Sequence, residues 1–245
     1  MIYDQASLLL GLCRAAKAVD AVSGMAKDTA SELLDHVQRH WDPLNGLVLS
    51  SMPEDGGTPA AAHWDDAAVL ADALVAVREV APGRKPSAEA LLRDIATWAL
   101  EAPREDDVAQ EAARLCVLSQ AGEALDDARF VRAGDDGAAV WLAEFIEPLR
   151  DGAAFSSLTS LGWTEAPRRV AVVLRLLSAQ AQQHPDDLLR WLGAASLVLQ
   201  REIIGSRLQL ADPQGMWNTH TYVPCLGLAP VFAQHRELPA WTWAR

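Results

Sequence analysis

His63-Trp64-Asp65-Asp66 is the densest cluster of reactive side chains in this chain of 245 residues. An imidazole and two carboxylates can move protons. An indole stacks well on sugar faces and other flat apolar ligands. Asp65 and Asp66 are adjacent, so on a helix they face different directions, and one can cap while the other points into a cavity. Glycoside hydrolysis needs paired carboxylates across a cleft, one as acid and one as base or nucleophile, roughly 5–10 Å apart. Glu165 lies in the similar run Trp163-Thr164-Glu165-Ala166 and is the candidate for the second carboxylate. His63 is a candidate general base, and His40 and His220 also fall in loops or at helix ends. Asp65, Asp66 and Glu165 are at the same time ordinary helix-capping residues.

Trp41, Trp64, Trp163 and Trp217 cluster at helix ends and loops, where indoles serve either as ligand platforms or as wedges between hairpins. Trp98, Trp141 and Trp191 fall mid-helix and read as core. His36 and His40 are four apart on one helix face, but no carboxylate or cysteine stands convincingly beside them, and no H-E-x-x-H is present. No metal or cofactor is expected. The run Asp65-Asp66-Ala67-Ala68-Val69 is not the D-D-x-x-D of isoprenoid synthases, because Val69 replaces the last carboxylate. G-x-G-x-x-G, Walker A and G-x-S-x-G are absent from the sequence.

The reactive cluster ends a long loop, Trp41 to Asp66, which holds Asp-Pro, Asn-Gly, Asp-Gly-Gly and Thr-Pro turn signals. Leu47-Val48-Leu49 within it is a short run of strand type. A loop of this length between helices is usually functional or disordered, and its apolar content argues against disorder.

Around this loop the apolar spacing predicts helices. Asp4 caps a first, with Ala6, Leu9, Leu10, Cys13 and Ala16 on one side and an end near Ser23-Gly24. A second carries Ala30, Leu33, Leu34, Val37 and Trp41 and stops at Pro43. Asp65 or Asp66 caps a third, Ser87 a fourth, and Asp106-Asp107 a fifth that ends at Gly122. The stretch Glu123 to Gly137 reads as a polar link anchored by Phe130 and Val131, before a sixth helix with Trp141, Leu142 and Phe145. Thr164 caps a seventh, with Pro167 in its first turn and His184-Pro185 as the following turn. An eighth follows Asp186. The total is eight helices in four antiparallel hairpins, with no convincing sheet.

Internal echoes support the pairing: Asp42-Pro43-Leu44 resembles Glu147-Pro148-Leu149, and Asp212-Pro213-Gln214-Gly215 is a third copy. The fold expected is all-α, a reduced α/α toroid or arc with the long loops on one rim. Residues 1–210 form that domain. Residues 211–245 form a Trp- and Pro-rich tail packed on it or on a partner.

Formal net charge is −12, which repels phosphate backbones and argues against nucleic acid. Cys13, Cys116 and Cys225 are widely spaced and odd in number, which suits buried thiols in a reducing compartment. No secretory leader is recognisable, and no apolar run approaches the roughly 20 residues that span a bilayer. A cytoplasmic protein without membrane partners is expected.

Met1-Ile2-Tyr3-Asp4-Gln5-Ala6, followed by a Leu-rich helix, resembles the M-L-Y-D-Q-A segment of a six-hairpin, glycosidase-like family. Its members are thioredoxin-domain-containing, spermatogenesis-associated proteins, relatives of the N-acylglucosamine 2-epimerases. Asp42 to Ser51 is similar to that family's G-G-F-Y-S loop, and Glu54-Asp55-Gly56-Gly57 to its acidic stretch. The likeness covers about the first 80 residues. It implies an α/α toroid in which Tyr3 and Asp4 join the substrate-binding residues, with Tyr3 aiming its hydroxyl inward.

Three functions follow as expectations. One is a carbohydrate-active or carbohydrate-binding rim pocket, of hydrolase or epimerase class, holding a small sugar-like ligand. Asp65, Asp66, Glu165 and His63 would do the proton chemistry there, and Trp41, Trp64, Trp163 and Trp217 would hold the ligand. Another is a noncatalytic helical scaffold, a homo-oligomer or a partner-binding subunit, and the third is a cofactor-free binding protein for a small apolar ligand.

Overall fold

The computed structural model describes residues 2–50, 61–146, 167–184, 186 and 194. These residues are predominantly helical, so the all-α class holds. The chain divides into two compact units, Met1–Glu105 with Ala113–Asp135, and Asp106–Ala112 with Asp136–Arg245.

The first unit is built from helical hairpins. α1 (Ile2–Ala18) buries Ile2, Ala6, Leu9, Cys13 and Ala16, a single stripe at helical spacing. A 3-10 turn, Asp20–Val22, leads directly into α2 (Ser23–Val37), which buries Ala26, Ala30, Leu34 and Val37. Ser23-Gly24 therefore opens α2 rather than closing α1, and α2 ends at Val37, short of Trp41 and Pro43, because a 3-10 turn, Gln38–His40, and a strand beginning at Trp41 follow it. α3 (Trp64–Val80) is the central helix and packs against α1 and α4 (Lys85–Glu101). Its buried residues surround most of its circumference, and the alanines among them, Ala67, Ala68, Ala71 and Ala73, let neighbours approach closely. Arg84, on the α3–α4 turn, reaches Asp35 of α2 at 2.7 Å, and Arg78 of α3 reaches Glu89 of α4 at 2.9 Å.

Three helix starts differ from expectation. α1 begins at Ile2, so Asp4 lies inside its first turn and does not cap it. α3 begins at Trp64 with His63 in the capping position and no side-chain cap bond. α4 begins at Lys85, ahead of Ser87, because Pro86 sits in the first turn, where its missing N–H costs nothing.

α5 (Val108–Leu125) opens as the sequence predicts: the Asp107 carboxylate accepts the amides of Ala109 and Gln110 at 2.9 and 3.0 Å. It does not end at Gly122. Asp126 takes the left-handed conformation at φ 53°. The Asp127 amide bonds the Gly122 carbonyl at 3.0 Å and the Asp126 amide bonds that of Glu123 at 3.4 Å, the paired closure of a Schellman end. Asp127 then caps α6 (Ala128–Trp141) through the Arg129 amide at 3.0 Å. The expected polar link is thus a second helix, joined to α5 by two residues.

Gly122 serves the crossing instead. A Cβ there would stand 2.6 Å from the Val131 nitrogen, and one on Gly134 would stand 2.8 Å from Ser119 Oγ. The two glycines let α5 and α6 touch backbone to backbone. Arg114 of α5 donates to the Ala99 carbonyl at 2.7 Å and so satisfies one of the free carbonyls that end α4.

In the second unit, the indole of Trp141 is fully buried and donates to the Val108 carbonyl at 3.0 Å. A π-helical turn, Leu142–Ile146, follows α6. α7 (Pro167–Gln183) starts with its proline in the first turn, ends just before His184, and buries Val173, Leu174 and Leu177, all as predicted. The eighth helix, the loop at 151–163 and the tail 211–245 lie outside the described residues.

Candidate functional site

The loop after α2 is a small, tightly tied β patch. Asp42 makes it turn: its carboxylate accepts the Leu44 amide at 2.9 Å and the Asn45 side-chain amide at 2.6 Å. These bonds, Asn45 foremost, hold the Asp42 carboxyl below its ordinary range. Gly46, at φ 63°, supplies the left-handed residue that closes the four-residue connection. The strands flanking it, β1 (Trp41–Asp42) and β2 (Leu47–Val48), pair antiparallel with Trp41 opposite Val48. A third limb returns on the other side: Leu49 bridges Ala61, and the Ala62 amide bonds the Val48 carbonyl at 2.7 Å. The strand-type run expected at Leu47-Val48-Leu49 is therefore the middle of this patch.

Two contacts fix the patch to the helices. The Ile2 amide at the head of α1 donates to the Ser50 carbonyl at 2.9 Å. His40, on the 3-10 turn that ends α2, is only 3% exposed and its Nδ1 lies 2.9 Å from the Leu49 carbonyl. A carbonyl only accepts, so Nδ1 carries the hydrogen. The Leu49 amide answers with a 2.7 Å bond to the His40 carbonyl. Burial pushes the His40 imidazole below its ordinary value, the Leu49 carbonyl opposes that, and His36, the amino terminus and Arg39 add repulsion. His36 stands edge-on to His40, with ring centroids 6.3 Å apart, and its own nitrogens meet the Gln5 amide and the Arg39 guanidinium.

The patch delivers the chain into α3. His63 is exposed at the capping position, and its carbonyl accepts the Asp66 amide at 3.1 Å. Trp64 is 5% exposed. Its ring stacks on Trp98 of α4, with centroids 3.9 Å apart and planes 26° from parallel. Its Nε1 donates to Glu105 Oε1 at 2.8 Å. Asp65 is half-buried and Asp66 is 6% exposed, so the two carboxylates do face different directions. Both lie in the first turn of α3, where the aligned peptide dipoles favour negative side chains.

The structure therefore gathers His63, Trp64, Asp65 and Asp66 around one helix start and adds Trp98 of α4 and Glu105, which follows the end of α4. Neither addition was foreseen as part of the site. Trp98 reads as core from its mid-helix position, and it is half-buried. Glu105 sits in a polar stretch with no motif, and only the fold brings it to Trp64. Trp41 is half-buried in β1, Tyr3 is half-buried and Asp4 is exposed on the first turn of α1. Glu165, Trp163 and Trp217 lie outside the described residues.

Among the described residues no group of three histidines, cysteines or acids is placed to hold a metal ion. No helix among them is long and apolar enough to cross a membrane. Cys13 and Cys116 are buried free thiols, and desolvation pushes them up to about 11 and about 12, so neither offers a thiolate near neutrality. Comparison of the chain with family models, with curated proteins and with solved structures gives no match.

Proposed function

We propose that this chain is a noncatalytic helical-hairpin scaffold or partner-binding subunit. The observation that carries this reading is Trp64. As a ligand platform it would need an open face. Instead it is buried, one face stacks on Trp98, and its N–H is given to Glu105. His40 and Asp42 are likewise spent on holding the β patch. The cluster that reads as chemistry in the sequence works as the joint between loop, α3 and α4. A net charge of −12 suits a partner with a basic face, because opposite fields speed encounter.

A second reading is favoured by Asp66. A carboxylate 6% exposed at a helix start, in the same turn as an exposed imidazole and as an indole that bonds Glu105, is the raw material of a carbohydrate site. In this reading the chain is a relative of the six-hairpin family, its hairpins form a reduced toroid or arc, and Asp66, Asp65 and His63 exchange protons with a sugar-like ligand, with Glu165 as the further carboxylate.

Amide NMR spectra recorded against a panel of mono- and oligosaccharides, with aryl-glycoside hydrolysis measured in parallel, separate the two. The scaffold reading expects no saturable shift at residues 61–66 and no hydrolysis. A saturable shift confined to those amides and abolished by D66N overturns it in favour of the carbohydrate site.

A further inference from the structure

The pairing of His40 with Leu49 has a property that the proposed function does not use. One residue pair makes both bonds that fasten the β patch to the end of α2: His40 Nδ1–H to the Leu49 carbonyl, and the Leu49 amide to the His40 carbonyl. In the neutral ring the proton is committed to Nδ1, so Nε2 is the nitrogen that takes up another. The ring is 3% exposed. Among the described residues, the charged groups that act on it are His36 and Arg39 from the same stretch of chain and the amino terminus, all of them cationic when protonated. Among the described residues of the patch, the Leu49 carbonyl faces it as a charge-stabilising dipole.

We propose that His40 is an acid-operated clasp, whose protonation releases the β patch from α2. A second proton creates a buried cation among like charges. The ring escapes this by turning out to water, which forfeits its bond to Leu49 and loosens the reciprocal one. The patch, and not the helices, gives way because it is the weaker partner. α1 and α2 are held by a buried stripe that includes Leu9, Leu34 and Val37, whereas β1 and β2 pair over two residues each. Short, backbone-tied segments with few buried contacts open at the lowest free energy. Release frees the segment that runs straight into His63 and the start of α3, so acid changes how that helix start is presented.

The test is amide hydrogen exchange by NMR on the full chain, corrected for intrinsic rates, between about pH 7.5 and about pH 5. The Leu49 and Ala62 amides, which bond His40 and Val48, are expected to lose protection by about tenfold. Amides between Leu70 and Val77 of α3 keep theirs. In H40Q, which does not titrate, the Leu49 and Ala62 protection is flat with pH. The same acid loss in H40Q, no loss in the wild type, or an equal loss along α3 each overturns the proposal. Should H40Q not fold, ring carbon titration of the wild type decides. The Leu49 and Ala62 amide shifts must follow the His40 midpoint, and following that of His36 or His63 instead overturns it.

Discussion

Alanine placed at Gly122 and at Gly11 gives opposite signs, although both glycines lie inside helices and a helix-propensity argument treats them alike. At Gly11 of α1 an added Cβ meets nothing within 4 Å. G11A should therefore gain the propensity difference between Gly and Ala, about 0.5–1 kcal/mol. At Gly122 the Cβ would lie 2.6 Å from the Val131 nitrogen, 2.7 Å from its Cγ2 and 3.0 Å from its Cα. Two of those atoms are backbone, which cannot rotate away, so α6 has to move from α5 by the better part of an ångström. Overpacking of this kind costs about 1–3 kcal/mol. Because the whole crossing opens, the upper half of that range applies, and the propensity gain offsets only about 1 kcal/mol of it. G122A should be destabilised by about 1–2 kcal/mol, leaving the two variants about 2–3 kcal/mol apart. G134A is milder, since its closest atom, Ser119 Oγ at 2.8 Å, sits on a side chain that can rotate. Combined with G122A it should cost less than the sum, because helices already parted have room for the second methyl. Urea unfolding at neutral pH measures all four, with midpoints compared at a common slope. A G122A midpoint at or above wild type would show that α5 and α6 do not meet at these glycines, and the hairpin described here would be wrong.

The remaining predictions concern the joint, the thiols and acid. W64F should lose about 2 kcal/mol in urea unfolding, from the indole bond to Glu105 and the smaller stack on Trp98. E105Q, whose amide oxygen still accepts, should lose less than about 1 kcal/mol, and equal losses would refute the bond. Native protein treated with a thiol reagent near neutrality should leave Cys13 and Cys116 unlabelled by peptide mass mapping, with both reacting after unfolding. Arg129, by direct bonding, holds the Asp127 carboxyl down to about 2, well below its ordinary value. Its stabilisation is therefore complete above the unfolded carboxylate range and is lost as pH falls through about 2. D127N keeps the cap and removes the charge, so its stability should fall less than that of the wild type over this acid window.

Legibility followed the range of the interactions involved. Helices with a clean apolar stripe, such as α1, could be read directly, and so could ends marked by local chemistry, such as Asp107 before α5 and His184 after α7. Boundaries failed where a signal residue had a tertiary job. Gly122 reads as a helix end because glycine often closes helices, but its missing Cβ is needed for Val131, and Asp126 supplies the left-handed residue instead. Ser23-Gly24 reads as an end because the 3-10 turn before it carries no marker of its own. Within the site, the loop and its strand run were visible in turn residues and apolar pattern. Trp98 and Glu105 were not, since they follow Trp64 by a helix and more and meet it only through packing.

The same fact explains why a helix start so easily resembles an active site. The first turn of a helix exposes unsatisfied N–H groups and the positive end of a dipole, so it collects Asp, and the segment entering it collects turn and capping residues. Catalysis recruits the same residue types because they carry charge, accept hydrogen bonds and sit where the chain changes direction. Type and spacing alone cannot separate the two uses; burial and partners can. A catalytic carboxylate must reach a ligand, whereas a structural indole or imidazole has its polar atoms directed at its own chain. Trp64 gives its N–H to Glu105 and His40 gives its N–H to Leu49, so both belong to the second kind. Asp66 is the residue on which the distinction turns. It is the carboxylate of the cluster that the fold takes furthest from water, and a saturable response of its amide to a saccharide, lost in D66N, would mark it as a ligand-facing acid and not a helix-start residue.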